Sequence, residues 1–322
     1  MILNCVLLVV GFFLLVKGAD FFVEGSSDVA RRFRIPSIII GMTIVAMGTS
    51  LPELAVSVSA ALAGSNEMAY SNVVGSNMFN LLVVCGAAAI FTPLTIHTKT
   101  LKREFPFSIF ITVLLLVFGY FGMSVGHVDG LILVVIFVIF LIMMVKSAMS
   151  ERRAANVIQI ESDKHEEMKD KKPLPIWKVL VFIVGGAAAV AIGGNLVVDS
   201  AEAIAKFFGL SDTLIGLTIV AFGTSLPELV TGIAAARKGE VDMALGNVIG
   251  SNIFNILFVL GLAASISGVG VVQNNLIDCV ILLVLSVLVW IFCITKKQVN
   301  RIEGLTMVII YGIYVVYICI RA

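Results

Sequence analysis

Apolar residues fall along this chain in stretches of about twenty, separated by short polar breaks, and each stretch can cross a hydrocarbon core of roughly 30 Å as a helix. Ten are predicted, at approximately 2–27, 37–63, 67–91, 104–123, 127–146, 177–200, 212–236, 242–264, 275–294 and 303–320. Runs such as Leu131 to Val145 carry no charge and little turn chemistry, which argues against the short buried strands of a large α/β core. The pattern predicts an all-α, polytopic membrane protein with ten transmembrane helices and leaves no stretch for a soluble domain. The first segment lacks the basic start of a cleaved signal peptide and is expected to be retained.

Composition agrees: 59% of the 322 residues are apolar and 13% charged, against roughly 45–50% apolar in a soluble domain. The lipid bilayer is therefore an expected partner; nucleic acid is not, and no obligatory protein partner is evident. Cys5, Cys85, Cys279, Cys293 and Cys319 lie inside apolar segments without metal-ligand spacing and read as small core residues. The net charge of +1 matters less than its distribution, because 19 of the 22 lysines and arginines fall in one set of alternate loops. The positive-inside rule then places both termini outside and the charged loop at 148–175 in the cytoplasm, as a solvated and partly disordered tether. The expected location is a cell membrane, plasma or inner.

Compared with itself at an offset of 175, the chain matches without gaps between 41–82 and 216–257, with 25 identities in 42 positions. The offset extends back to Gly18 and Gly193. Five spans per half is an odd number, so the second half must enter the membrane from the opposite side. The expected organisation is a first five-helix repeat at 1–147, the loop at 148–175, and a second, inverted repeat at 176–322. Inverted repeats bring corresponding segments together near the midplane, a recurrent architecture of secondary transporters.

Each copy contains the string GTSLPE in the middle of an apolar span, placing Thr49, Ser50, Pro52 and Glu53, and again Thr224, Ser225, Pro227 and Glu228, at membrane depth. A charge at the helix centre costs about 2.5–3.5 kcal/mol even on insertion scales, so each intramembrane acid is a functional hypothesis. Proline removes a helical hydrogen bond and crowds the carbonyl four residues back, so the helices are expected to break at the acids and to free the carbonyls of Gly48 and Gly223. Such backbone is tolerated at this depth only where protein or a water-filled cavity satisfies it. The second block, GSNMFN and GSNIFN after Asn72 and Asn247, adds hydroxyl and amide oxygens without charge. Ser76 and Asn80 share one helix face by their spacing of four, as do Ser251 and Asn255. Asn72, Asn77, Asn247 and Asn252 could serve either the ion or close helix packing. Carboxylate, carbonyl, hydroxyl and amide oxygens without histidine or cysteine suit Ca²⁺ or Na⁺.

The paired GTSLPE and GSN-x-F-N blocks resemble the alpha repeats of the cation/calcium antiporter superfamily, in its prokaryotic sodium/calcium exchanger branch, over nearly the whole chain. The resemblance implies a secondary active antiporter exchanging calcium for sodium by alternating access, electrogenic if three sodium ions oppose one calcium. It implies that Glu53 and Glu228 bind calcium with the main-chain oxygens of Thr49 and Thr224. Ala46, Thr49, Glu53 and Ser76 would form one flanking sodium site, and Ala221, Thr224, Glu228 and Ser251 its inverted mate. Asn80 and Asn255 would face the central space, with Ser50 and Ser225 as further candidates. No prosthetic group is implied; calcium and sodium are cargo.

Departures from the wider family refine this. Some relatives, potassium-dependent exchangers among them, have an acid at the position of Asn255, so the amide argues against obligatory potassium transport. The proton-coupled branch has a different second block, so GSN favours sodium, with proton coupling as the alternative and a channel as a further one. The loop at 148–175 is too short for the calcium-sensing domains of animal exchangers. An intramembrane enzyme finds only Gly122-Met123-Ser124-Val125-Gly126 in its favour, a G-x-S-x-G match that lacks the strand-to-helix context the motif needs.

Overall fold

The computed structural model describes residues 2–64, 66–162, 174–209 and 221–321. Helices α1 (Ile2–Phe33), α2 (Ser37–Thr49), α3 (Leu51–Leu62), α4 (Glu67–Phe91), α5 (Thr100–Met123) and α6 (His127–Ser162) make up the first part of the chain. Then come α7 (Ile176–Phe207), a single turn at Ala221–Gly223, α8 (Leu226–Arg237), α9 (Val241–Ser267), α10 (Gln273–Lys296) and α11 (Arg301–Arg321). Among the described residues, eight helices are long and apolar enough to span a membrane, and α2 with α3, bent by 49°, makes a ninth. The stretch expected at 212–236 is described from Ala221 onward, and 212–220 lies outside the described residues.

Burial sorts these helices into a centre and a perimeter. In α4 and α9, 78% of the most apolar window is buried, against 17–28% in the other long helices. The perimeter exposes large apolar side chains such as Phe13, Leu131, Val184 and Ile309, as a surface facing hydrocarbon must. The centre is held by amides. Asn77 Nδ2 donates to the Asn252 carbonyl (3.2 Å) and Asn252 Nδ2 donates to the Asn77 carbonyl (3.3 Å), so α4 and α9 are joined by a reciprocal pair of bonds.

Long helices α1 and α7 pack along each other backbone to backbone. A Cβ on Gly18 would lie 2.9 Å from Val190 N, and one on Gly193 would lie 2.7 Å from Leu15 N, so only glycine permits this approach. Two-residue antiparallel strands close the ends of the bundle: β1 (Leu94–Thr95) pairs with β4 (Gln298–Val299), and β2 (Ser124–Val125) with β3 (Val269–Gly270). The sequence pattern did not predict them.

Two expectations need correction. Helix α6 continues to Ser162, so the first half of the stretch expected as a tether is helical; 163–173 lies outside the described residues. Cys85, Cys279 and Cys293 are buried, but Cys5 and Cys319 are exposed on perimeter helices, where an apolar position faces outward rather than into the core.

Candidate functional site

The helix breaks fall where the prolines require them. Ser50 leaves helical geometry between α2 and α3 (φ −87°, ψ 15°), and Ser225 does so just before α8 (φ −94°, ψ 5°). Pro52 and Pro227 then sit in the first turn of the new helices, where a missing N–H costs nothing, and Glu53 and Glu228 follow in that same turn. A helix N-terminus favours a carboxylate, so each break makes part of the environment for its own acid.

Both acids are fully buried. A hydroxyl of each break reaches the opposite acid: Ser50 Oγ donates to Glu228 Oε1 at 2.6 Å, and Ser225 Oγ donates to Glu53 Oε1 at 3.1 Å. Ser76 Oγ also donates to Glu53 Oε1, at 3.5 Å. The second oxygen of each carboxylate, Glu53 Oε2 and Glu228 Oε2, is buried with no hydrogen-bond partner among the described residues. So are Thr224 Oγ1, both polar atoms of Asn80, and Asn255 Oδ1. Two buried carboxylates with idle oxygens are costly unless a cation compensates them.

Hydrogen bonds link several of the remaining expected residues. Thr49 Oγ1 donates within a fork to the carbonyls of Val45 (3.2 Å) and Ala46 (3.3 Å) and to Asn247 Oδ1 (3.3 Å). Ala46 is buried, and its carbonyl also accepts from Ser50 N at 3.1 Å; Ala221 begins the helical turn that precedes the second break. Ser251 Oγ donates to Asn247 Oδ1 at 3.5 Å, while Asn255 Nδ2 donates to Asn77 Oδ1 at 3.2 Å. Asn80 and Asn255 each open a π-helical segment, Asn80–Val84 and Asn255–Leu260, a distortion that recurs at functional sites.

Two hydroxyls at this level escaped the sequence reading. Ser57, one turn beyond Glu53, is buried and accepts from Asn72 Nδ2 at 3.0 Å; Thr231, three residues after Glu228, is buried with its Oγ1 unpartnered among the described residues. Helical spacing of three or four from the acids was the signal for both. The Gly122–Gly126 string lies in a short turn and the strand β2, with no feature of a nucleophile's site.

Fold and site together define an integral membrane protein whose spanning helices break at paired acids in the bundle interior. Residues 3–146 and 178–320 match the model of the sodium/calcium exchanger protein family, and the chain belongs to that family. It is thus a member of a transporter family and not an enzyme. It is 40% identical to the inner membrane protein YrbG of Escherichia coli K12 over 83% of this chain and 81% of YrbG. It is 31% identical to the sodium/calcium exchanger MaX1 of Methanosarcina acetivorans, over 97% of both chains. Its fold matches the solved structure of the sodium-calcium exchanger NCX_Mj soaked with Na⁺ and Sr²⁺, with a TM-score of 0.84 and 31% identity over 98% of both chains.

Proposed function

We propose that this chain is a secondary active antiporter that exchanges calcium for sodium across a cell membrane by alternating access. The observation that carries the reading is the pair of buried glutamates, each bonded across to the other break and each left with one idle oxygen. In this reading the chain is two inverted five-helix repeats, 1–147 and 176–322, giving ten spans with both termini outside and the 148–175 loop in the cytoplasm. Glu53 and Glu228 bind calcium with main-chain oxygens of Thr49 and Thr224. Ala46, Thr49, Glu53 and Ser76 hold sodium on one side, and Ala221, Thr224, Glu228 and Ser251 hold it on the other, with Asn80, Asn255, Ser50 and Ser225 completing the oxygen set.

Charge balance then enforces exchange. Switching the empty site across the bilayer barrier would carry two uncompensated carboxylates through low dielectric, at a cost of several kcal/mol per ion. One Ca²⁺ cancels both charges; Na⁺ sharing the same carboxylates does so too, and the shared ligands prevent both loads from binding together. Three Na⁺ leave one net positive charge, so calcium uptake driven by sodium exit moves a positive charge outward and runs faster with an inside-positive potential.

Calcium flux into proteoliposomes with imposed sodium, proton or potassium gradients tests this. Uptake that follows the sodium gradient supports the reading; uptake that ignores it and follows protons replaces sodium coupling with proton coupling. Voltage-independent uptake in vesicles clamped with a potassium ionophore would reject three-to-one exchange.

A further inference from the structure

A cavity of about 350 Å³ opens between α4, α10 and α11. Two of its lining residues, Gly75 and Phe222, stand one position before Ser76 and two before Thr224, so its lining adjoins the segments that carry those hydroxyls. Asn275 and Asp278 also line it, three residues apart near the start of α10 and therefore on one helix face. Asp278 is held by Arg321 at the end of α11 through two bonds, Nη1 to Oδ1 at 2.9 Å and Nη2 to Oδ2 at 2.7 Å, and the guanidinium lies 5.1 Å from the Tyr317 ring centre.

Asn275 is 5% exposed, and its Nδ2 has no partner among the described residues. Its Oδ1 lies 3.0 Å from Ser71 Oγ, but Ser71 has one proton and the Glu67 carbonyl stands 3.2 Å away as a rival acceptor. Turned over, the Asn275 amide donates to Ser71, Ser71 donates to Glu67, and the free end of the amide is a carbonyl oxygen. That oxygen and the Asp278 carboxylate are hard oxygen ligands suited to a hydrated Na⁺ or Ca²⁺. Tyr311 and Tyr314 line the same space, and the Tyr314 hydroxyl also bonds the Asp278 carboxylate.

We propose that Asn275 and Asp278 form a staging site for the transported cations on one face of the membrane, with Arg321 as a tethered competitor. The guanidinium occupies the carboxylate while no ion is arriving; an incoming cation displaces it and enters the cavity whose lining adjoins Ser76 and Thr224. This rests on the antiport reading.

Calcium-dependent exchange in right-side-out and inside-out membrane vesicles at low ionic strength tests it. Arg321→Gln is expected to lower the half-saturating calcium concentration about threefold to tenfold on the face carrying Asp278, and Asp278→Asn to raise it by a similar factor, the range that local charge exerts on cation capture. The double variant should follow Asp278→Asn, because the competitor has lost its target. Arg321→Lys, which keeps a cation without the two-pronged grip, should shift in the direction of Arg321→Gln by less, and it serves if the glutamine variant does not fold. Both single variants weakening capture alike, or equal shifts on the two faces, would show a structural bolt between α10 and α11 and overturn the proposal. Absence of exchange by the wild type would overturn the antiport reading and the staging site with it; wild-type exchange with unmoved variants would overturn the staging site alone.

Discussion

The two halves repeat their sequence more faithfully than their polar wiring. Around Glu53, Asn72 is tied down, its Nδ2 donating to Ser57 Oγ at 3.0 Å and to the Glu53 carbonyl at 3.5 Å. At the matching place in the second half, Gly232 stands where the first half has Ser57, so Asn247 has no such anchor. Its Oδ1 instead accepts from Thr49 at 3.3 Å and Ser251 at 3.5 Å, and its Nδ2 is buried without a partner among the described residues. The acids differ in geometry: Ser225 and Ser76 donate to Glu53 at 3.1 and 3.5 Å, whereas the Ser50 bond to Glu228 is shorter, 2.6 Å, with Thr49 and Ser251 also directed to that carboxylate. Asn72 is thus anchored within its own half, whereas Asn247 is bonded across the halves to Thr49 and one turn on to Ser251.

Replacing either acid should abolish the comparison. Glu53→Gln and Glu228→Gln are each expected to reduce calcium exchange in proteoliposomes to background while the protein still elutes as a folded species, because one charge cannot balance a divalent ion. Near wild-type flux from either would remove that residue from the site.

Acidification attacks both half-sites together. Only the deprotonated carboxylate binds metal, so protons compete with calcium. Exchange at sub-saturating calcium is expected to be retained near pH 8 and lost as pH falls toward about 5, with recovery at high calcium. A flat profile would show that the carboxylates do not hold the ion.

The serines sharpen the difference between halves. Ser50→Ala removes the shortest of these bonds, 2.6 Å to Glu228, whereas Ser225→Ala removes a longer one, 3.1 Å to Glu53. Hydrogen bonds to a charged group contribute about 1.5–3 kcal/mol, so Ser50→Ala should weaken apparent calcium affinity about tenfold and Ser225→Ala about threefold. Equal losses would mean that the two half-sites are alike in wiring. The smallest effect is expected from Ser57→Gly, which gives the first half the residue of the second. It frees Asn72 and should move half-saturating sodium by about threefold or less, read from the sodium dependence of calcium uptake.

The acids, their breaks and the doubled pattern were legible because each leaves a local mark: a carboxylate and a proline inside an apolar run, repeated at a fixed offset. The exchange of serines between halves was not, since Ser50 and Glu228 are 178 residues apart and only packing brings them together. Asn77 and Asn252 could be read as ligands or as packing residues; both use their amides to join α4 to α9. The helical start of the 148–175 stretch was hidden by its charge, which suits solvent but does not forbid a helix that has already been nucleated within the membrane. The pairing of Leu94 with Val299 joins the ends of distant helices and leaves no periodic trace in segments of two residues.

The π-helical segments that begin at Asn80 and Asn255 have a mechanical consequence. Each packs an extra residue into a turn, so the helix beyond it is out of phase with the helix before it. The two innermost helices, crossed at Asn77 and Asn252, are therefore each built as a shaft with an offset joint, their far ends rotated against the segments that meet at the crossing.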